Sequence, residues 1–218
     1  MENSAGEFRM ECVAKTRELE FVKGLQCLEH KKYVERYFLF SAAPVLTGAK
    51  SATLILFRHC CKEVWRECKE QICKETGLDA IKLYENKETF AILIYDKEML
   101  ENKVRSLEAK KILHRYGYEA DGELCELFGF LKTRFYNCNF PHEIGVFLGY
   151  PPEDVGAFIE KSGKDYLCCR YWKVYHNEQE ARETFEFIDK AKSHAIYLLG
   201  LKVTIKTAAR MLAEMKTA

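Results

Sequence analysis

The order of short apolar runs along the chain restricts its fold more than any other feature. Residues Ala52–Phe57 read as a buried strand. Cys60–Thr76 follows with Cys61, Val64, Trp65, Cys68 and Ile72 on one helical face, and Gly77 stops it. Ala80–Tyr84 and Thr89–Tyr95 are predicted strands, with Glu85–Glu88 as their hairpin turn. A helix is predicted from Lys97 to about Tyr116, ending at Gly117. Strand, helix, strand, strand, helix needs one more strand to become β-α-β-β-α-β, and the aromatic segment Leu167–Tyr175 is the candidate. The predicted fold class is therefore α+β: a four-stranded sheet in a ferredoxin-like order, with a helical insertion and extra C-terminal helices.

The remaining segments read as helices. Glu7–Phe40 is periodic with a break near Gly24, after a frayed tail of about eight residues. Pro44 and Gly48 punctuate its end. A helical insertion over 118–162 contains Glu123–Asn137, Pro141–Leu148 and Pro152–Glu160, the prolines suiting first-turn positions. Asn177 and Glu180 resemble a capping box opening a helix that ends at Gly200, and a last helix covers about Thr204–Met215. No repeat or linker interrupts the 218 residues, which favours one domain over 1–218; a split near 120 is the alternative.

Composition narrows the function classes. The net charge of +1 gives no global reason to expect nucleic acid or an anionic membrane as partner. No apolar run spans a bilayer, and the charged first thirty residues do not resemble a secretory signal, so a cytoplasmic protein is expected. Ten cysteines without a Cys-x-x-Cys pair argue against a zinc ribbon or thioredoxin-like motif; reduced, mostly buried thiols are expected.

Glycine, proline, histidine and aromatics concentrate in Phe140–Tyr175. Phe140-Pro141-His142-Glu143-Ile144-Gly145-Val146-Phe147-Leu148-Gly149-Tyr150-Pro151, then Glu153-Asp154-Val155 and Phe158-Ile159, and finally Tyr171-Trp172-Lys173-Val174-Tyr175, closely resemble the bacterial domain-of-unknown-function family numbered 3793, found mainly in clostridia and related anaerobes. Ala43-Pro44-Val45-Leu46-Thr47-Gly48-Ala49-Lys50 is similar to that family's N-terminal signature. The resemblance extends from about Cys27 to Lys190. Two departures stand out: Ala42 replaces a frequent cysteine, and Arg170 replaces a glycine before the tyrosine motif. The resemblance implies an anaerobe's cytosolic protein and no particular activity.

The candidate ligand-binding residues are Lys50, His142, Glu143, Tyr150, Cys169, Tyr171, Lys173 and Tyr175. His142 and Glu143 fall in a predicted first helical turn, where free N–H groups favour anions. Read as a strand, the last motif puts Tyr171, Lys173 and Tyr175 on one face, able to stack on a planar group and hold a negative charge. Each has a plain structural alternative: Glu143 complementing a helix dipole, His142 a hydrogen-bonding core residue, the tyrosines an amphipathic sheet face. Val146 removes the second histidine of His-Glu-x-x-His, so zinc-protease chemistry is excluded. Thr47–Ser51 lacks Walker spacing, and the last helix lacks a following recognition helix.

Three functions stay open: binding of a small anionic or planar ligand or cofactor (flavin, haem or nucleotide-like); an enzyme using His142 or a cysteine such as Cys138 as acid/base or nucleophile; and a protein-interaction module. Nothing in the sequence names a cofactor, and no metal-binding spacing stands out. The two ligand motifs are expected to pack together, with His142 and Lys173 opening onto one pocket.

Overall fold

A computed structural model describes residues 16–137 and 140–216. The predicted tail and helix start before residue 16, and Cys138, lie outside them. Residues 16–25 form α1, and α2 spans His30–Leu46. Strand β1 (Ala52–Arg58) leads through a 3₁₀ turn (His59–Cys61) into α3 (Lys62–Thr76), which ends on Gly77 in the left-handed region. The hairpin β2 (Asp79–Glu85) and β3 (Thr89–Tyr95) follows. Its turn is held by the Asn86 side-chain oxygen, which accepts from the Glu88 and Thr89 amides at 2.8 Å.

These three strands form one antiparallel sheet in the order β1-β3-β2, with Ala52 opposite Tyr95 and Arg58 opposite Thr89. The fourth strand does not join it. Among the described residues, Cys168–Cys169 (β4) and Lys173–Val174 (β5) pair only with each other, in a separate tight hairpin. The class is α+β as expected, but the four-stranded ferredoxin-like arrangement is replaced by a three-stranded sheet. A turn at 170–172 folds the segment back on itself before it can present an edge to the sheet.

Period-two alternation places the sheet between two cores. Ile55, Phe57, Phe90, Ile92 and Ile94 face a cluster built with α2, α3, the long α9 (Glu178–Gly200) and α10 (Ile205–Glu214). Ala52, Leu83 and Leu93 face the opposite cluster. That second layer comprises α4 (Lys97–Val104), α5 (Leu107–Arg115), α6 (Leu124–Asn137), α7 (Ile144–Phe147) and α8 (Pro152–Glu160). Each fully buried Phe or Ile contributes about 1.5–3 kcal/mol of transfer free energy. The β4–β5 hairpin packs on α9 through Val174, Ala181 and Phe185.

Four boundaries differ from the sequence reading. Helix α2 runs through Pro44 to Leu46, because Ala42 to Leu46 are all buried and packing outweighs one lost backbone bond near the helix end. The predicted 97–116 helix is two helices, since Ser106 caps α5 by accepting from the Ala109 amide. The helix predicted from Pro141 is the single turn of α7, so the anion-favouring helix start expected at His142 is not built. Asn177 precedes α9 in the left-handed region, and its side-chain amide donates to the Glu180 carboxylate instead of making a capping box.

Candidate functional site

Two glycines set the geometry. A Cβ on Gly145 would lie 2.8 Å from a Val155 methyl, so α7 and α8 pack without room for a side chain between them. Gly149 has φ +74°, and a Cβ there would strike the Ser51 hydroxyl at 2.3 Å. The loop between α7 and α8 is thereby pressed onto the start of β1. Tyr150, the next residue, stacks on Trp172 of the hairpin turn, with ring centroids 5.3 Å apart.

Between α7–α8 and the hairpin lies a cavity of about 390 Å³. His142, Tyr150, Cys169, Tyr171 and Lys173 all line it, with Phe140, Ile144, Leu148, Val155, Phe158 and Trp172 as apolar walls. Five of the eight sequence candidates, from two segments well separated along the chain, thus meet in one space. His142 is exposed and sets its ring edge-on to Phe158 at 5.2 Å. The Lys173 ammonium donates to the Gly163 carbonyl at 2.7 Å and lies 4.8 Å from the Tyr166 ring centre. Asp154 is a further polar residue of the cavity lining.

The hairpin turn departs from strand alternation, so Tyr171 and Trp172 both reach the cavity and both touch Phe185. The Tyr171 hydroxyl donates to Asp189 at 2.6 Å, and Arg170 pairs with the same carboxylate. Burial first, then that carboxylate, push the Tyr171 phenol far up. Burial also raises Tyr150 to about 12, so both phenols stay neutral near neutral pH.

The other three candidates sit elsewhere. Glu143 is fully buried and turned away, accepting from Arg134 at 2.7 Å and from the Tyr118 hydroxyl at 3.3 Å; it fastens α6 to α7. Tyr175 is buried outside the cavity lining. Lys50 lies 4.9 Å over the Tyr150 ring and lines an adjacent cavity of about 210 Å³ that shares Tyr171 with the first. Burial, then repulsion from Lys192, lower the Lys50 ammonium to about 8.

Asp154 was not among the candidates. Only 2% exposed, it accepts from the Trp172 indole N–H at 2.8 Å and from the Tyr175 and His176 amides at 2.8 and 3.0 Å. An acid in the first turn of a Pro-initiated helix reads as a dipole partner, which hides this role. Asp189 likewise carries no signal beyond its place in a helical pattern.

Fold and cavity together define an α+β protein with a ligand-sized space between a helical layer and a small hairpin. The chain belongs to the family described as "Protein of unknown function (DUF3793)", whose profile matches residues 38–208. The match begins later than the expected Cys27 and reaches further than Lys190, taking in all of α9 and the start of α10. No curated protein and no solved structure matches the chain. Among the described residues no helix is long and apolar enough to cross a membrane.

Proposed function

We propose that the cavity between α7–α8 and the β4–β5 hairpin binds a small, planar ligand carrying a negative charge. The observation that carries this reading is the shared lining by His142, Tyr150, Cys169, Tyr171 and Lys173. The apolar walls and the Tyr150–Trp172 stack suit a flat, largely apolar body, and Lys173 with His142 supplies donors for an anionic edge. A few polar groups set in an apolar concavity of this volume is the usual form of a small-molecule site. The size suits an aromatic acid or a mononucleotide such as flavin mononucleotide.

A thermal-shift and calorimetric screen of planar aromatic carboxylates and mononucleotides tests this. At least one compound should raise the melting temperature of the wild-type protein. His142→Ala and Lys173→Met should each abolish that rise; the first should leave unliganded stability within about 0.5 kcal/mol, and the second, which gives up the bond to the Gly163 carbonyl, should cost about 1 kcal/mol. A ligand whose stabilisation survives both substitutions binds elsewhere and removes the proposal.

A second reading rests on His142 and Cys169 opening onto the same cavity, a thiol and an imidazole within one site. In that case Cys169→Ser abolishes turnover of a bound thioester or ester and preserves binding. Unchanged turnover in Cys169→Ser discards it.

A further inference from the structure

Just past the end of the sheet's first strand, three metal-ligating side chains converge. His30 is the first residue of α2, and Cys60 and Cys61 belong to the 3₁₀ turn between β1 and α3. Their ligating atoms all lie within 4.8 Å of one another. The two sulfurs are 3.9 Å apart. Two thiolates bonded at about 2.3 Å to one tetrahedral ion would be separated by about 3.8 Å, so the sulfurs already stand at chelating distance. Adjacent cysteines manage this here because the tight turn brings both to one side, unlike Cys168 and Cys169 in their strand.

We propose that His30, Cys60 and Cys61 bind one thiophilic divalent cation of the Zn²⁺ class, with a fourth position left for water or an exogenous ligand. Charge and position both favour it. Two thiolates neutralise a divalent ion, and sulfur with imidazole is the donor set this class selects. Cys61 immediately precedes α3, so the turn that carries both thiols is anchored to that helix. The turn is fixed from outside: the His59 amide donates to the Glu88 carbonyl at 2.7 Å, and Glu85 takes the His59 ring at 3.0 Å and Lys62 at 2.5 Å. His59 is thereby engaged away from the cluster. Cys61 is buried and Cys60 and His30 are exposed, so the ion would enter from solvent. The imidazole must close by about an ångström to reach bonding distance, within reach of an exposed side chain.

Reduced, chelator-treated full-length protein titrated with Co²⁺ decides the matter, with Zn²⁺ then used to displace it. One Co²⁺ per chain should bind with thiolate charge-transfer absorption and the intense visible bands of a tetrahedral ion. Cys60→Ser and His30→Gln, both at exposed positions, should each weaken binding about 100-fold, at least the loss seen when an outer-shell partner is removed. Cys169→Ser should bind as the wild type does. Circular dichroism of each variant confirms folding; should Cys60→Ser prove unfolded, His30→Gln carries the test by itself. Absence of charge-transfer absorption in the wild type overturns the proposal. So does an unchanged spectrum and affinity in folded His30→Gln, or loss of the spectrum in Cys169→Ser.

Discussion

Asp154 is the residue on which the cavity wall most depends. One of its oxygens serves the Trp172 indole and the other the amides of Tyr175 and His176. An asparagine in its place would keep the shape but offer a single acceptor oxygen, turning an N–H₂ toward a buried donor. We predict that Asp154→Asn costs about 2 kcal/mol. For a chain of this size that lowers the melting temperature by about 4–8 °C, readable by circular dichroism. A change under about 1 °C would mean that these bonds are replaced by water. His142 and Glu143 show how sharply roles divide between neighbours: one ring opens onto the cavity, and the other side chain is sealed against Arg134. Sequence adjacency suggested a joint role. They lie in the turn just before α7, where the first side chain faces solvent and the cavity and the second faces the interior.

At the scale of elements, the hairpin is the weakest part of the site by its own bonding, since β4 and β5 pair over only two residues each. Phe185 of α9 compensates. It is fully buried, 4.4 Å from Trp172 and 5.7 Å from Tyr171 between ring centroids. Phe185→Ala should cost about 3–5 kcal/mol if the hairpin stays folded. Hydrogen exchange separates the cases: amides of residues 167–175 should lose protection selectively, and uniform loss across the chain would contradict a local role. The sheet strands were legible because their two faces bury against different cores, giving runs too apolar and too short to be helices. The hairpin was not, because aromatic and β-branched content signals an extended chain and says nothing about where it turns. Convergence of the two motifs was expected from the anion-binding groups they carry, and the motifs do meet, although the helix start on which His142 was expected to act is not built. The side chains that hold them there, Asp154 and Asp189, look like ordinary helix surface in sequence.

For the whole molecule, titration of buried groups sets the alkaline stability profile. The Lys50 ammonium is held at about 8 against an ordinary 10.5, by burial and then Lys192. Below pH 8 the lysine is charged in both states and the folded chain bears the penalty. As pH rises from about 8 toward 10, the unfolded chain binds more protons at this group, so stability rises. From about pH 9 the Cys61 and Cys68 thiols, which burial holds up at about 11, act oppositely, and above about pH 10 the tyrosines join them. Tyr33, Tyr95 and Tyr150 are held up at about 12, so the unfolded chain sheds protons first and stability falls. Denaturant unfolding across this range should show a rise between about pH 8 and 9 that Lys50→Met removes, leaving the later fall intact. A rise that persists in Lys50→Met assigns it to another group. The chain also contains only two tryptophans, Trp65 of α3, buried against Phe38 of α2, and Trp172 in the cavity wall. Excitation shifts electron density in an indole from its pyrrole end toward its benzene ring. Asp154 holds its charge at the pyrrole end of Trp172, where it stabilises the excited state and shifts emission to the red. Tyr150, stacked alongside, is placed to pass its excitation on. With Trp65 replaced by phenylalanine, the remaining fluorescence becomes an optical gauge of whether the cavity is full or empty.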